Sequence, residues 1–265
     1  NNVTLTVAGD FDPVQAKKWV EKYFGEIKRG EEITPLEKRP GVVKETVKFF
    51  HEDNFARLPE LTMAWPTVEQ YHPDSYALNV LTTYLTRGKR APFYQVIVED
   101  KKLAPEVSMF SFESELAGQT QLEVRAFADK KLDDVAAAIS EAFAKFEKDG
   151  ISEQDLNRIK AGQETQFYNS LSSVLGKSAQ LAQGNIFAND PGFAAKEIDA
   201  ILSVTTADVK RVYEKYIKGK NFVATSFVPK GKAELALSGS KRAEVVEEPI
   251  VQGAENEVDP NVEAE

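Results

Sequence analysis

Residues 205–228 read TTADVKRVYEKYIKGKNFVATSFV. Thr205 stands three positions before Asp208, an acidic version of the helix-capping pattern. Val209, Val212, Tyr213 and Tyr216 follow at helical spacing, so a helix is predicted behind this cap. A polar turn around Asn221 comes next, and Phe222 to Val228 is rich in strand-forming residues before Pro229-Lys230-Gly231. A capped helix handed to a strand is the unit from which the rest of the chain can be read.

The strand part of that unit has an echo at the start of the chain. Lys220 to Ser226 (KNFVATS) parallels Asn1 to Val7 (NNVTLTV). The run Val3 to Gly9 alternates apolar residues and predicts a strand with one buried face. Asp12 then caps a helix that has Pro13 in its first position, where a missing amide hydrogen costs nothing. This helix carries Val14, Trp19, Val20, Tyr23 and Phe24, and Gly25 stops it. The first copy lacks the helix that precedes the second, so residues 1–25 read as the closing strand and helix of a preceding unit. Residues 26–41, dense in charge, proline and glycine, read as a linker.

Between linker and closing strand, residues 42–230 carry a mixed α/β pattern. Strands are predicted at 42–50 and 58–65, the second ended by Pro66. His72-Pro73-Asp74 starts a helix through Leu78, Leu81 and Leu85, and a short helix follows at 91–99. Strands at 106–114 and 119–128 form a hairpin closed by Ala117-Gly118, the second with Leu122, Val124, Ala126 and Ala128 on one face. Helices dominate 131–217. Leu132, Val135, Ile139, Phe143 and Phe146 form one apolar stripe, Gly150 ends it, and Ser152 with Asp155 caps the next helix.

Composition excludes several chemistries. The 265 residues contain no cysteine, which removes disulfides, thiolate metal sites and cysteine nucleophiles. The formal net charge is -9, opposite to the basic field that nonspecific nucleic-acid binding needs. Residues 241–265 hold two bases and eight acids, so most of that charge sits in one segment. Residues 231–265 therefore read as an acidic tail without a core of its own, disordered or held by a partner. No apolar run is long enough to span a membrane. The chain starts at Asn1 without a signal-like segment and reads as a processed or excised piece. Its compartment is not legible, since a chain without cysteine suits the periplasm and the cytoplasm equally. Gly176-Lys177-Ser178 ends like a phosphate loop, but the helical, glycine-free run before it removes that reading. Glu113, Glu115 and Glu123 offer carboxylates on a hairpin with nothing to fix their separation.

Five ordered runs, VTLTVAGDFDPVQAKKWVEKYFG (3–25), LPELTMAWP (58–66), HPDSYAL (72–78), FYQVIVEDKKLA (93–104) and residues 202–217, resemble the pitrilysin/insulinase family of zinc peptidases, which includes the mitochondrial processing peptidase subunits. The resemblance implies an α+β fold, a mostly antiparallel sheet packed against helices, in which paired domains enclose a chamber for peptides. It also implies a zinc held by an inverted His-x-x-Glu-His motif in another domain. This chain has no such motif: His51 and His72 are its two histidines, and neither has a second at the required spacing. No catalytic, cofactor or metal residue is therefore assigned, and zinc is implied only for the full-length protein or a partner subunit.

The family also places an Arg and a Tyr seven positions apart to hold substrate. Leu103 and Ala104 match that stretch, yet Val98 stands at the Arg position and Pro105 at the Tyr position. Neither side chain can donate a hydrogen bond to an oxyanion. The remaining substrate-contact candidates are Lys101 and Lys102, which otherwise read as a solvated turn, and Trp65, which otherwise reads as core packing. Arg87, Lys89 and Arg90, clustered around Gly88, read as an exposed loop or a contact with substrate or partner. The resemblance thus implies a noncatalytic chamber domain that serves peptide hydrolysis beside a separate zinc-bearing domain or subunit, or else a scaffold derived from the same family.

Overall fold

The computed structural model describes residues 2–34 and 36–245. The strands are β1 (Val47–Asp53), β2 (Glu60–Thr67), β3 (Ser108–Glu113), β4 (Gly118–Arg125), β5 (Val223–Pro229) and β6 (Lys241–Arg242), in the spatial order β3-β4-β2-β5-β1-β6. Pairing is antiparallel from β3 through β4 and β2 to β5, then parallel from β5 to β1 and from β1 to β6. The sheet is therefore mostly antiparallel. Its faces separate by strand periodicity: Leu61, Met63, Trp65 and Thr67 of β2 are buried, and the residues between them are not.

The described α-helices are α1 (Pro13–Phe24), α2 (Pro73–Thr86), α3 (Leu132–Asp149), α4 (Glu153–Ser170), α5 (Val174–Ala188), α6 (Ala194–Ser203) and α7 (Thr206–Tyr216), and of these α2, α3 and α7 cover the buried face of the sheet. Leu78, Leu81 and Leu85 of α2, Val135, Ile139 and Phe146 of α3, and Val209 and Val212 of α7 join Leu61, Leu122 and Val124 of the sheet in one core. Phe143 is its aromatic centre, edge-on to Trp65 and to Phe93. The predicted caps form. Ser152 Oγ accepts from the Asp155 amide, and Thr205 and Asp208 complete a reciprocal capping box. Gly150 ends α3 at φ 68°, a backbone that glycine adopts without strain.

One buried carboxylate ties α7 to α2. Asp74 accepts hydrogen bonds from Arg211 Nη1 at 2.6 Å, Lys215 Nζ at 2.8 Å and Tyr216 Oη at 2.6 Å. Burial alone would raise its pKa. The three donors win, and hold the carboxyl well below the usual carboxylate range.

Five expectations change. Residues 3–9 form no strand and pair with none among the described residues. Thr4 instead accepts from Asn185 Nδ2 at 3.1 Å, and Val3, Leu5 and Val7 face solvent. Pro66 does not end β2. The ladder to β5 stops at Ala64, so at Pro66 the strand has only β4 beside it and a missing amide hydrogen is tolerated. The short helix at 91–99 is wound as a π-helix over Tyr94–Asp100. The predicted hairpin is narrower, with Glu113 opposite Gly118, where any Cβ would sit 2.0 Å from the Val68 carbonyl oxygen.

The fifth change concerns the segment from 231 onward, expected to lack structure. Residues 231–243 are packed: Leu235 and Leu237 are buried, and Ser238 hydrogen-bonds Asp133 through both its amide and its hydroxyl. The Ala243 amide donates to the Phe50 carbonyl, beside the parallel pairing of β6 with β1. Two leucines that read as tail composition are core residues, because the β5–β1 end of the sheet leaves apolar surface for them. The acidic residues from 246 onward lie outside the described residues.

Candidate functional site

The π-helical turn positions the residues that sequence comparison brings forward. Val96 and Ile97 are buried in it, and half-buried Val98 packs against the same core. The Lys101 amide donates to the Val96 carbonyl and the Leu103 amide to that of Ile97, which closes the turn. Lys102 takes φ 50°, the left-handed region that costs a side-chain-bearing residue about 1 kcal/mol. The kink aims the chain through Leu103, Ala104 and exposed Pro105 into β3. A π-turn of this sort is common beside functional sites.

Val98, Lys101, Lys102 and Pro105 thus lie on one connection leading to an edge strand. Lys101 is not free there: its ammonium pairs with Glu141 of α3 at 2.8 Å. Lys102 is exposed. Trp65 is a different case. It is 2% exposed and packed against Phe143 and Phe222, so it belongs to the core and is out of reach of a peptide. Its reading as a groove residue fails because strand periodicity turns it to the helix side.

β3 has β4 on one side and, among the described residues, no strand on the other. Phe110 and Phe112 project from β3 on the face opposite the helices, with Phe112 59% exposed. Across the strands they neighbour Gln121 and Gln119, and through these Ala64 and Pro66. The result is a sheet face of aromatic and amide side chains ending at an open edge. Glu113 closes β3 with its carboxyl half-enclosed. Its Oε1 is buried without a hydrogen-bond partner, and burial pushes the group up to about 7. Sequence reading placed Glu113 on the hairpin but could not show that burial. Asp74 was legible only as part of a helix start, since its three donors come from α7.

The two histidines do not fit a zinc site. His51 lies on β1 with its ring edge-on to Phe227. His72 caps α2, its Nδ1 accepting from the Asp74 amide at 3.0 Å. Among the described residues, no group of three or more His, Cys, Asp or Glu side chains gathers in a way that could hold a metal ion. Among the same residues, no helix is long and apolar enough to cross a membrane.

The described residues form an α+β domain with one sheet face covered by helices. Residues 1–163 match the family described as "Peptidase M16 inactive domain", and the chain belongs to that family, the inactive domain of the pitrilysin/insulinase peptidases. It is 26% identical over 186 residues to the "Uncharacterized zinc protease YmxG" of Bacillus subtilis (strain 168), covering 68% of this chain and 42% of that protein. Its fold is similar to that of a protease from Helicobacter pylori, with TM-score 0.72, 19% identity, 84% of this chain and 54% of that one covered. It is also similar to a peptidase M16 inactive domain from Pseudomonas fluorescens, with TM-score 0.70, 15% identity, 89% of this chain and 54% of that one covered. The chain spans about half of these solved chains, and less than half of the curated relative.

Proposed function

We propose that this noncatalytic domain forms one wall of a peptide chamber and serves hydrolysis only beside a separate zinc-bearing domain or subunit. The observation that carries the reading is the outer edge of β3, which has no strand beside it among the described residues, with exposed Phe110 and Phe112 on the face away from the helices. Unpaired backbone groups there can take an extended peptide as an added strand, and Phe110 and Phe112 offer apolar contact to alternate side chains. Lys102 and Pro105 lie at the entrance to that edge. The name of the Bacillus relative, a zinc protease more than twice as long as the matched region, supports a zinc-bearing portion elsewhere.

The same proposal divides the chain. Residues 1–25 complete a preceding unit, 26–41 link it, 42–230 form the domain, and residues 231–243 extend it by packing on the sheet. The exposed apolar row Val3, Leu5 and Val7 and the uncovered Trp19, Tyr23 and Phe24 of α1 support the first assignment.

A second reading is a scaffold that has lost any role with substrate, and Val98 and Pro105 in place of hydrogen-bonding residues favour it. The two separate in one experiment. A photo-reactive phenylalanine analogue replaces Phe112 in the complex with the zinc-bearing portion, and an extended substrate peptide is added. The chamber reading expects peptide cross-linked at this position, and a Phe110→Asp variant that lowers peptide affinity. Active complex that yields no cross-link, with affinity unchanged by the variant, would leave the scaffold.

A further inference from the structure

The helix layer holds a groove that the chamber reading does not use. Tyr76, Asn79 and Thr83 of α2, at spacings of three and four that place them on one helical face, line it together with Arg87, which caps the end of that helix. Arg158 of α4 and Glu197 of α6 stand in its walls, and its volume is about 800 Å³. No residue of the sheet lines it. At about 1.5 Å per residue, Tyr76 and Arg87 are roughly 16 Å apart along α2.

The two ends of this groove carry opposite chemistry. Arg87 and Arg158 lie at one, where they also converge with Arg90 on an adjoining hollow of about 130 Å³. Arg158 has Asp155 beside it at 3.3 Å, while Arg87 makes no ion pair among the described residues. At the other end the Glu197 carboxylate accepts one hydrogen bond, from Gln180 Nε2, and makes no ion pair among the described residues. Burial pushes its carboxyl above the ordinary range, as expected for an acid enclosed without a cation. Tyr76 Oη is buried with no hydrogen-bond partner. A buried hydroxyl left unmatched is costly, and a ligand that supplied its partner would recover that cost. The loop cluster at Arg87 and Arg90, which in sequence read as an exposed turn or a contact, thus faces a built concavity.

We infer that this groove binds a short extended peptide by its two free termini, the carboxylate at Arg87 and Arg158 and the ammonium at Glu197 and Tyr76. The span fits about five residues at roughly 3.3 Å each. Arginine suits the carboxylate end because its planar fork matches that geometry. Asn79 and Thr83 line the floor between, where the Asn79 amide can meet a peptide backbone while the Thr83 hydroxyl already donates to the Asn79 carbonyl, and Ile159, Phe167 and Ile201 add apolar surface. The ligand class is therefore an oligopeptide of fixed length and free ends, the kind of molecule proteolysis releases. The inference does not depend on the sheet edge, so either can fail alone.

The test is a titration of the ¹⁵N-labelled chain with the uncharged pentapeptide Gly-Ser-Ala-Ser-Gly, followed by amide shifts. The N-acetylated, C-amidated and doubly blocked forms are compared with it. Blocking either end should weaken binding by about tenfold, the scale of a lost charge-assisted hydrogen bond. In Glu197→Gln the acetylation penalty should vanish and the amidation penalty remain. Arg87→Gln combined with Arg158→Gln should show the reverse. The inference is overturned if the free peptide gives no saturable shift around Asn79 and Thr83, or if the doubly blocked form binds equally well. It is also overturned if only one end matters, or if both penalties persist in the variants. The wild-type series alone is decisive should a variant fail to fold.

Discussion

Helices α1 and α7 are each capped at the start by an acidic residue or its partner, and each carries apolar residues at helical spacing. Each neighbours a β-rich run whose sequence parallels the other's. Their fates differ. α7 buries Val209, Val212 and Tyr213, is clamped through Asp74, and hands the chain to β5 inside the sheet. α1 buries nothing, leaves Trp19 54% exposed, and follows a run that forms no strand among the described residues. The local pattern is present in both, and only one finds its apolar partner within the described chain. Amphipathic pattern specifies which face a helix would bury. Stability comes from what that face meets.

The contrast can be broken at graded points. Asp74→Ala should have the largest effect, a loss of about 3 kcal/mol in urea unfolding, since it strands Arg211, Lys215 and Tyr216. The figure lies at the low end for a broken ion-pair cluster because Arg211 and Lys215 are about half exposed and partly solvated. The pH dependence follows from the lowered carboxyl. The unfolded group titrates near pH ~4, so the clamp is fully present above that value and is lost as pH falls toward the depressed native pKa. Asp74→Asn should flatten this acid limb. A wild-type limb identical to that of the variant would show that the cluster adds nothing.

Val212→Ala should cost about 2 kcal/mol, from two buried methyl groups and the void they leave. Thr205→Ala should cost about 1 kcal/mol by opening the capping box. Trp19→Ala in α1 should change the stability of the 265-residue chain by no more than about 0.5 kcal/mol, the usual range for an exposed site. With the proposed preceding unit present, the same substitution should cost about 3 kcal/mol, as for a tryptophan removed from a packed site. If melting curves show Trp19→Ala and Val212→Ala to be equally damaging in the chain alone, the contrast between the helices collapses. Equal indifference at Trp19 in both contexts would remove the neighbour that α1 is proposed to serve.

Much of the fold was legible because its signals are local. The stop at Gly150 and the caps at Ser152 and Thr205 depend on groups within a few residues of one another, whereas Gly118 is held to glycine by the distant Val68 carbonyl. Strand and helix periods along 119–128 and 131–149 likewise need no distant partner. The failures share a cause. Pro66 stays in β2 because β5 has already ended beside it, and Leu235 and Leu237 are core because the sheet leaves them a place. Trp65 turns inward by the alternation of its own strand, in line with the core reading its sequence allowed. The candidate site was half legible. Val98 and Pro105 are placed by their fixed distance from Leu103 and Ala104. The groove of Tyr76, Arg87, Arg158 and Glu197 draws on three helices far apart in sequence, and no spacing rule joins them.

By itself the sequence determined the absence of thiol chemistry and of the inverted zinc motif, the alternation that makes each strand two-faced, and the caps that start the helices. These follow from residue identity and short-range sterics. Only the tertiary structure decided which apolar faces are satisfied, that Asp74 is clamped while Glu113 is pushed up to about 7, and that β3 has no outer strand partner among the described residues. Burial and electrostatics depend on what is brought near in space, and chain order does not encode that proximity in any local pattern.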